Sequence, residues 1–315
     1  MPDLVTIGET MAVFIPDAGL PIRDASCFRM RIAGAESNTA IGVARLGHSA
    51  GWISRVGNDG FGEYILKTIE NEGVDTSRTK VDNNHSTGIM FKQTINHNST
   101  EVYYYRDNSA AVHLSPSEMD TNYIKSAKIL HLTGITPVLS RNCEEYIYKA
   151  IALAHENNIL ISFDPNIRLK LWKGQDYRHL LKKILSDSDI VLLGLSEASM
   201  LFDTNNIDQI ISTIFSYPKI KYLAIKDGSS GAWVCTREEH YFIQPFPCNS
   251  VDTVGAGDGF NAGFIHGILE GKDIKTCGIY GGIVGALATE TYCDIDGYPT
   301  IAKLNDLASK YMKEG

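Results

Sequence analysis

Short apolar runs alternate with segments of helical spacing along most of this chain, and that alternation limits the fold more than any other property. Runs at 4–7, 50–56, 129–132, 159–164, 190–193 and 222–226 have the length and composition of buried strands. Between and after them, 34–46, 61–72, 141–157, 177–185 and 207–215 carry apolar residues at helical spacing. A βα order repeated this often predicts a mostly parallel sheet with helices on both faces, because each parallel connection must cross over a face of the sheet. Ligands of such sheets sit at the carboxyl ends of the strands.

Between 86 and 106 the period falls to two. GIMFKQ (88–93) and VYYYR (102–106), either side of a polar turn at 96–99, predict a β-hairpin, which has no place inside a parallel sheet. With part of 11–32 it is assigned to a small β layer projecting from the main domain; an antiparallel edge on the main sheet is the alternative. A second hairpin is expected from 231–235 and 240–244. Two helices, one after Asp258 and one at about 274–290, are expected to close the domain.

Composition then narrows the function. A chain of 315 residues with 43% hydrophobic residues supports one large domain with a small appendage. Its net charge of −8 argues against nucleic acid or an anionic membrane as partner, so an anionic ligand must be held by local cations and backbone donors. No run reaches the roughly 18 apolar residues of a membrane span. The start, MPDLVTIGET, lacks the basic and apolar regions of a signal peptide, and the six cysteines form no CxxC pair. A cytoplasmic protein with reduced thiols is expected, and the sequon Asn98-Ser99-Thr100 reads as a turn.

The chemistry concentrates at predicted strand ends. SVDTVGAGDGFNAGFIHGILEG (250–271) reads as an extended lead-in, a glycine-rich turn and an apolar helix. Such a turn leaves backbone N–H groups unpaired at the positive end of the helix dipole, which makes an anion site of Gly255, Ala256 and Gly257. Asp258 in that turn is either a helix cap or a general base. Asp164-Pro165-Asn166-Ile167-Arg168, Gly194-Leu195-Ser196-Glu197 and Lys226-Asp227-Gly228-Ser229-Ser230-Gly231 follow three other strands. An arginine, a glutamate, an aspartate and two glycine-rich turns at one sheet edge exceed what helix capping needs. The Walker pattern is absent. Residues 257–262 satisfy GxGxxA, but far from the first βα unit and with an acid where a pyrophosphate would approach, so a nicotinamide-dependent dehydrogenase is the weaker reading. Phosphoryl transfer suits these residues better, with the turn stabilising charge and Asp258 taking a hydroxyl proton.

DTVGAGDGFNAGF (252–264) closely resembles the C-terminal signature of the ribokinase-like (PfkB-type) carbohydrate kinases. AGAESNTAIGVARLG, RVGNDGFGEYI, the hairpin, SFDPNIR and KDGSSGAW follow the family's order, so the resemblance spans essentially the whole chain. It implies a three-layer, Rossmann-like α/β domain over 1–315 with a β lid formed by about 11–33 and 86–112. It implies ATP as phosphoryl donor, Mg2+, and Asp258 as catalytic base. Nucleotide contacts then map to Asn166, Arg168, Lys226, Gly228, Gly231, Gly255 and Gly257, and the acid linked to Mg2+ maps to Glu197. A monovalent cation, K+, near the Asp252 loop and 286–294 is a further family feature, left open here. Pairing of two copies through exposed lid strands is also left open.

Within the family, GAESN (34–38), YYYRDNSAAVHLSP (103–116), HLTGITPVLS (131–140) and DPNIRLKLW (164–172) are most similar to 2-keto-3-deoxygluconate kinases. That resemblance implies a sugar acid phosphorylated at its 6-hydroxyl, with Gly34, Asn38, Tyr104, Arg106, Arg168, Asp258 and Asp294 around it. A carboxylate wants guanidinium, which Arg106 and Arg168 supply. A fructokinase, whose early motif often has proline where Glu36 stands, is the alternative within the family, and a non-catalytic sugar-responsive regulator lies outside it. Three positions depart from the pattern: Ala33-Gly34 replaces a glycine pair at the expected lid hinge, Gly194 and Ser196 leave only Glu197 of an NxxE motif, and Ile89-Met90 stand where a lid tyrosine is expected.

Overall fold

The structure, a computed structural model, describes residues 1–16, 20–96 and 99–314. The first half of the chain runs through β1 (Leu4–Ile7), β2 (Met11–Pro16), β3 (Phe28–Ala33), α1 (Ala35–Arg45), β4 (Ala50–Ile53), β5 (Arg55–Gly57), α2 (Gly60–Asn71), β6 (Val74–Asp75) and β7 (Lys80–Asp82). It continues with β8 (Ile89–Asn96), β9 (Ser99–Tyr105), α3 (Thr121–Lys125), β10 (Ile129–Thr133), α4 (Arg141–Glu156) and β11 (Leu160–Asp164). After α5 (Leu169–Trp172) and α6 (Arg178–Ser186) come β12 (Ile190–Gly194), α7 (Leu195–Phe202), α8 (Ile207–Phe215) and β13 (Tyr222–Lys226). β14 (Ala232–Cys235), β15 (His240–Ile243), α9 (Ala256–Leu269), α10 (Ile274–Ala288) and α11 (Ile301–Glu314) complete the chain.

Nine strands form the main sheet in the order β15-β14-β13-β12-β11-β10-β1-β4-β6. The seven from β13 to β6 pair in parallel, and the expected hairpin β14–β15 extends one edge antiparallel. Along each central strand successive residues enter opposite cores, so both phases must be apolar. Val5, Ile7, Leu130, Leu132, Val191 and Leu193 pack with α4, α6 and α8; Leu4, Ile129, Ile190 and Leu192 face α1, α9 and α10. Helix starts are set locally: Asp59, Ser140, Asn206 and Asp273 each accept backbone N–H groups of the helix they precede.

The small β layer is a separate four-stranded sheet, β3-β2-β8-β9, rather than an edge of the main one. Each of its two hairpins is antiparallel, but β2 and β8 join them in parallel, so the lid is mixed. The hairpin tip at 97–98 and residues 17–19 lie outside the described residues. The period of two sorts this sheet into an inner face with Met11, Val13, Ala33, Met90, Val102 and Tyr104, and an outer face where Phe14, Phe28 and Tyr105 surround Phe91.

Three expectations need correction. The run 50–56 breaks at Ser54: β4 stays in the main sheet while β5 turns away to pair with β7. The lead-in at 250–254 is no strand, and the chain crosses irregularly from β15 to α9. A third helix, α11, follows the two expected at the end, burying Leu304 and Ala308 at helical spacing. Among the described residues no helix is long and apolar enough to cross a membrane.

α1 and α9 cross at a glycine. A Cβ on Gly42 would lie 2.5 Å from Cβ of Ala262. Gly42→Val is therefore expected to lower stability by about 1–3 kcal/mol through overpacking, seen as a lower urea midpoint at unchanged slope.

Candidate active site

The carboxyl ends of β11, β12 and β13, the first turn of α9 and the inner face of the lid enclose a cavity of about 840 Å³. Gly34, Asn38, Tyr104, Arg106, Asn166, Arg168, Glu197, Lys226, Gly228, Gly231, Gly255, Ala256, Gly257, Asp258 and Asp294 all line it. The sequence reading thus drew its candidates from one place, although their bonding differs from one to the next.

The glycine turn is fixed from behind. Gly255 has φ +83°, and a Cβ there would lie 2.3 Å from the Asp294 carbonyl oxygen, so only glycine fits. The Tyr298 hydroxyl donates to the Gly255 carbonyl at 2.9 Å. Helix α9 already begins at Ala256, which places Asp258 in its first turn rather than in the loop before it. The Ala256 N–H reaches the Thr253 carbonyl at 3.4 Å, whereas among the described residues those of Gly257 and Asp258 meet no acceptor. A Cβ on Gly257 would have only Lys226 Nζ within 4 Å, at 3.7 Å, so this glycine keeps space open in front of the free donors.

Asp258 accepts one hydrogen bond, from Asn38 Nδ2 at 2.9 Å. Burial pushes its carboxyl up to about 7; the Asn38 amide and Arg168 oppose the rise, and the charges of Asp164 and Asp294 add to it. A carboxyl that titrates near neutrality is suited to accept a proton. The same Asn38 nitrogen lies 3.4 Å from Asp294 Oδ2. Burial raises the Asp294 carboxyl too, against the pull of Lys92 and Asn38.

Lys92 was not among the sequence candidates. Its Nζ stands 2.7 Å from Asp252 Oδ2 and 3.6 Å from Asp294 Oδ1, a charge contact off the line of a directed hydrogen bond. The signal was available in sequence, since Lys92 shares the inner phase of β8 with Met90. These residues do not fit a monovalent cation at the Asp252 loop, because the acidic oxygens that would hold it already face an ammonium group.

A second polar cluster sits under β11. Lys226 Nζ donates to Asp164 Oδ2 at 2.8 Å and to Asn261 Oδ1 at 3.0 Å, and Asn261 Nδ2 donates to the same Asp164 oxygen at 2.7 Å. Burial would raise the Asp164 carboxyl, but Lys226 and Asn261 outweigh it and hold it below its usual value. Lys226 is thus a half-committed cation rather than a free loop lysine. The Asn166 N–H donates to Asp164 Oδ1 at 2.9 Å, and Asn166 takes a left-handed φ of +39°, which asparagine tolerates. Glu197 accepts the Gly194 and Ile167 N–H groups at 2.7 Å, one on each carboxylate oxygen. Burial raises its carboxyl, with Asp164 adding to the rise. Glu197 therefore joins two strand ends, each oxygen holding one backbone donor and keeping a second lone pair.

The two arginines differ sharply. Arg106 is buried, pairs through Nη2 with Glu9 Oε2, and lies 5.7 Å over the Tyr104 ring. Ser109 Oγ donates to the other Glu9 oxygen at 2.5 Å. Arg168 is exposed at the rim and, among the described residues, has only the Ile167 carbonyl at 3.5 Å as partner. Glu36 does not line the cavity: it is buried beneath Gly8, accepts the Thr133 and Thr136 hydroxyls at 2.6 and 2.8 Å, and is raised by burial.

Comparison with known proteins agrees with this geometry. Residues 1–301 match the family described as pfkB family carbohydrate kinase. A 2-dehydro-3-deoxygluconokinase of Bacillus subtilis (strain 168) is 37% identical over 310 residues, covering 98% of this chain and 95% of that protein. A 5-dehydro-2-deoxygluconokinase of Clostridium beijerinckii is 28% identical over 99% of this chain and 94% of its own length. A solved E. coli protein of the ribokinase II type, in complex with ATP and Mg2+, superposes with a TM-score of 0.91 at 26% identity, covering 98% of this chain and all of that one. By sequence, by fold and by the residues around its cavity, this chain belongs to the pfkB family of carbohydrate kinases.

Proposed function

We propose that the protein transfers the γ-phosphoryl group of ATP to the 6-hydroxyl of a sugar acid, 2-keto-3-deoxygluconate. The observation that carries this reading is Asp258, a buried carboxyl without a cationic partner, standing beside two unpaired N–H groups at the start of α9. The sugar hydroxyl lies against Asp258 and gives up its proton to that carboxylate as its oxygen attacks the γ-phosphorus. The bond to the β,γ-bridging oxygen breaks and ADP leaves with the electron pair. Charge on the transferring oxygens faces the Gly257 and Asp258 N–H groups, in a site where fixed donors stabilise it without reorganising. Mg2+, when bound through the phosphates of the nucleotide, would supply neutralisation of their charge. Ile243, Phe246, Gly282, Gly285 and Ala286 add an apolar stretch to the cavity lining, suited to the base of the nucleotide.

For the acid group, Arg168 is the stronger anchor because its charge is not matched by any acid of the described residues. A carboxylate at Arg106 has to share that guanidinium with Glu9. The Bacillus subtilis relative named for the 2-keto acid supports the substrate class. The Glu9–Arg106 pair favours a second reading, a neutral ketose such as fructose, since a lid arginine already neutralised needs no acidic substrate.

Asp258→Asn is expected to keep the fold and ATP affinity and to lower kcat by about 100-fold or more in an ADP-release assay. Turnover near that of the wild type rules out Asp258 as base. In the wild type, kcat/KM is expected to fall as pH drops through about 7, because the base must be deprotonated. Arg168→Ala is expected to weaken use of the sugar acid by roughly 10–150-fold, the equivalent of one charged hydrogen bond, with Arg106→Ala following it. A panel of 2-keto-3-deoxygluconate, its galactose-derived epimer, 5-keto-2-deoxygluconate, ribose and fructose decides the substrate. Efficient turnover of fructose that is indifferent to both substitutions establishes the neutral-sugar reading.

A further inference from the structure

Lys92 is only 2% exposed, although it sits on a lid strand whose neighbours Glu101 and Tyr103 on β9 face solvent. Lysine is almost never buried this far without a charged partner. Its partners are two acids of the body, Asp252 and Asp294, distant in sequence from the lid and from each other. Each acid in turn holds a part of the turn ahead of α9. Asp252 Oδ1 accepts the Val254 N–H at 3.1 Å, which orients the entry to the turn. Asp294 shares the Asn38 amide with Asp258, and its main chain lies directly behind Gly255. Two carboxylates, Asp252 and Asp294, thus face one ammonium group, and Asp294 is joined to the base Asp258 through the Asn38 amide. Without it, Asp252 and Asp294 would stand buried and uncompensated beside the base, an arrangement that low-dielectric surroundings oppose strongly.

We propose that Lys92 is a positioning residue that takes the place of a monovalent cation, an ammonium group tethered to the lid that charges the Asp252–Asp294 pair and fixes the turn before Asp258. It rests on the reading of that turn as the site of phosphoryl transfer. Because the cation is carried by the lid, closure and the charging of the turn are one event. The wild-type protein needs no alkali ion for either.

The test compares the wild type, Lys92→Ala and Lys92→Met at equal ionic strength in KCl, NaCl or tetramethylammonium chloride, with ADP release and melting temperature as separate readouts. Wild-type kcat is expected to agree within about twofold across the three salts, with no stabilisation specific to K+. Lys92→Ala is expected to lose about tenfold or more in kcat, the equivalent of one pKa unit of electrostatics, and to regain several-fold with KCl or ethylammonium, which enter the vacated space. The same cations raise its melting temperature above that in tetramethylammonium. Lys92→Met keeps the chain but not the charge, and is expected to lose activity without recovery by either cation. A wild type that requires K+, or a Lys92→Ala protein indifferent to cations in both readouts, overturns the proposal. Absence of ADP release by the wild type on every sugar defeats phosphoryl transfer instead, and the melting comparison still decides the role of Lys92.

Discussion

One side-chain amide ties the site together. Asn38 Nδ2 reaches both Asp258 and Asp294, and it does so from α1, a helix packed along α9. The reach depends on how near the two helices run, and that depends on Gly42 against Ala262. α9 is in turn pressed onto α10 at Gly263, where a Cβ would meet the Tyr280 carbonyl oxygen at 2.5 Å. The small residues of the DGFNAGF stretch therefore have a packing purpose alongside any chemical one. They bring three helices close enough for short polar side chains to meet.

Around that amide, charges are matched almost completely. Asp164 has Lys226, Glu9 has Arg106, and the pair Asp252 and Asp294 has Lys92. Glu197 has no cation but accepts two backbone N–H groups. Among the described residues lining the cavity, this leaves Asp258 without a cation at ion-pair distance, and Arg168 and Lys170 without an acid at that distance. Matched groups hold shape, and unmatched ones are free to meet a ligand. A ligand that brings a proton to the acid and a negative charge to the cations completes the set.

The fold was legible in the chain because its signals are local. Apolar runs of strand length, the change of period at 86 and glycines at strand ends each report on a few neighbouring residues. Pairings across the molecule leave no such trace. Nothing near Lys92 announces Asp252, nothing near Arg106 announces Glu9, and Tyr298 gives no local sign that its hydroxyl holds the Gly255 carbonyl. Glu36 stands in the GAESN stretch that carries the resemblance, yet it is sealed beneath Gly8, whose missing side chain makes the room, and nothing in the motif tells a buried residue from a cavity one. Glu197 stands at the expected strand end, but its bonds to the Gly194 and Ile167 N–H groups left no local sign, because a glutamate in the first turn of a helix can satisfy backbone donors as well as face a ligand. The break at Ser54 was hidden by a continuous apolar run, which records burial and not which sheet receives it.

The mixed pairing of the lid has a bearing on how the chain acquires its shape. β2 and β8 lie side by side in parallel, with α1, β4, α2 and the β5–β7 pair strung between them. Joining them closes a loop of more than a full supersecondary unit, and the entropy of that closure is recovered only after the intervening segments have collapsed onto the sheet. The β8–β9 hairpin can form by itself from neighbouring residues, but it has no inner face to cover until β2 and β3 are in place. Pairing β2 with β8 is thus the non-local step in building the lid, and the body supplies the elements that bring the two strands together.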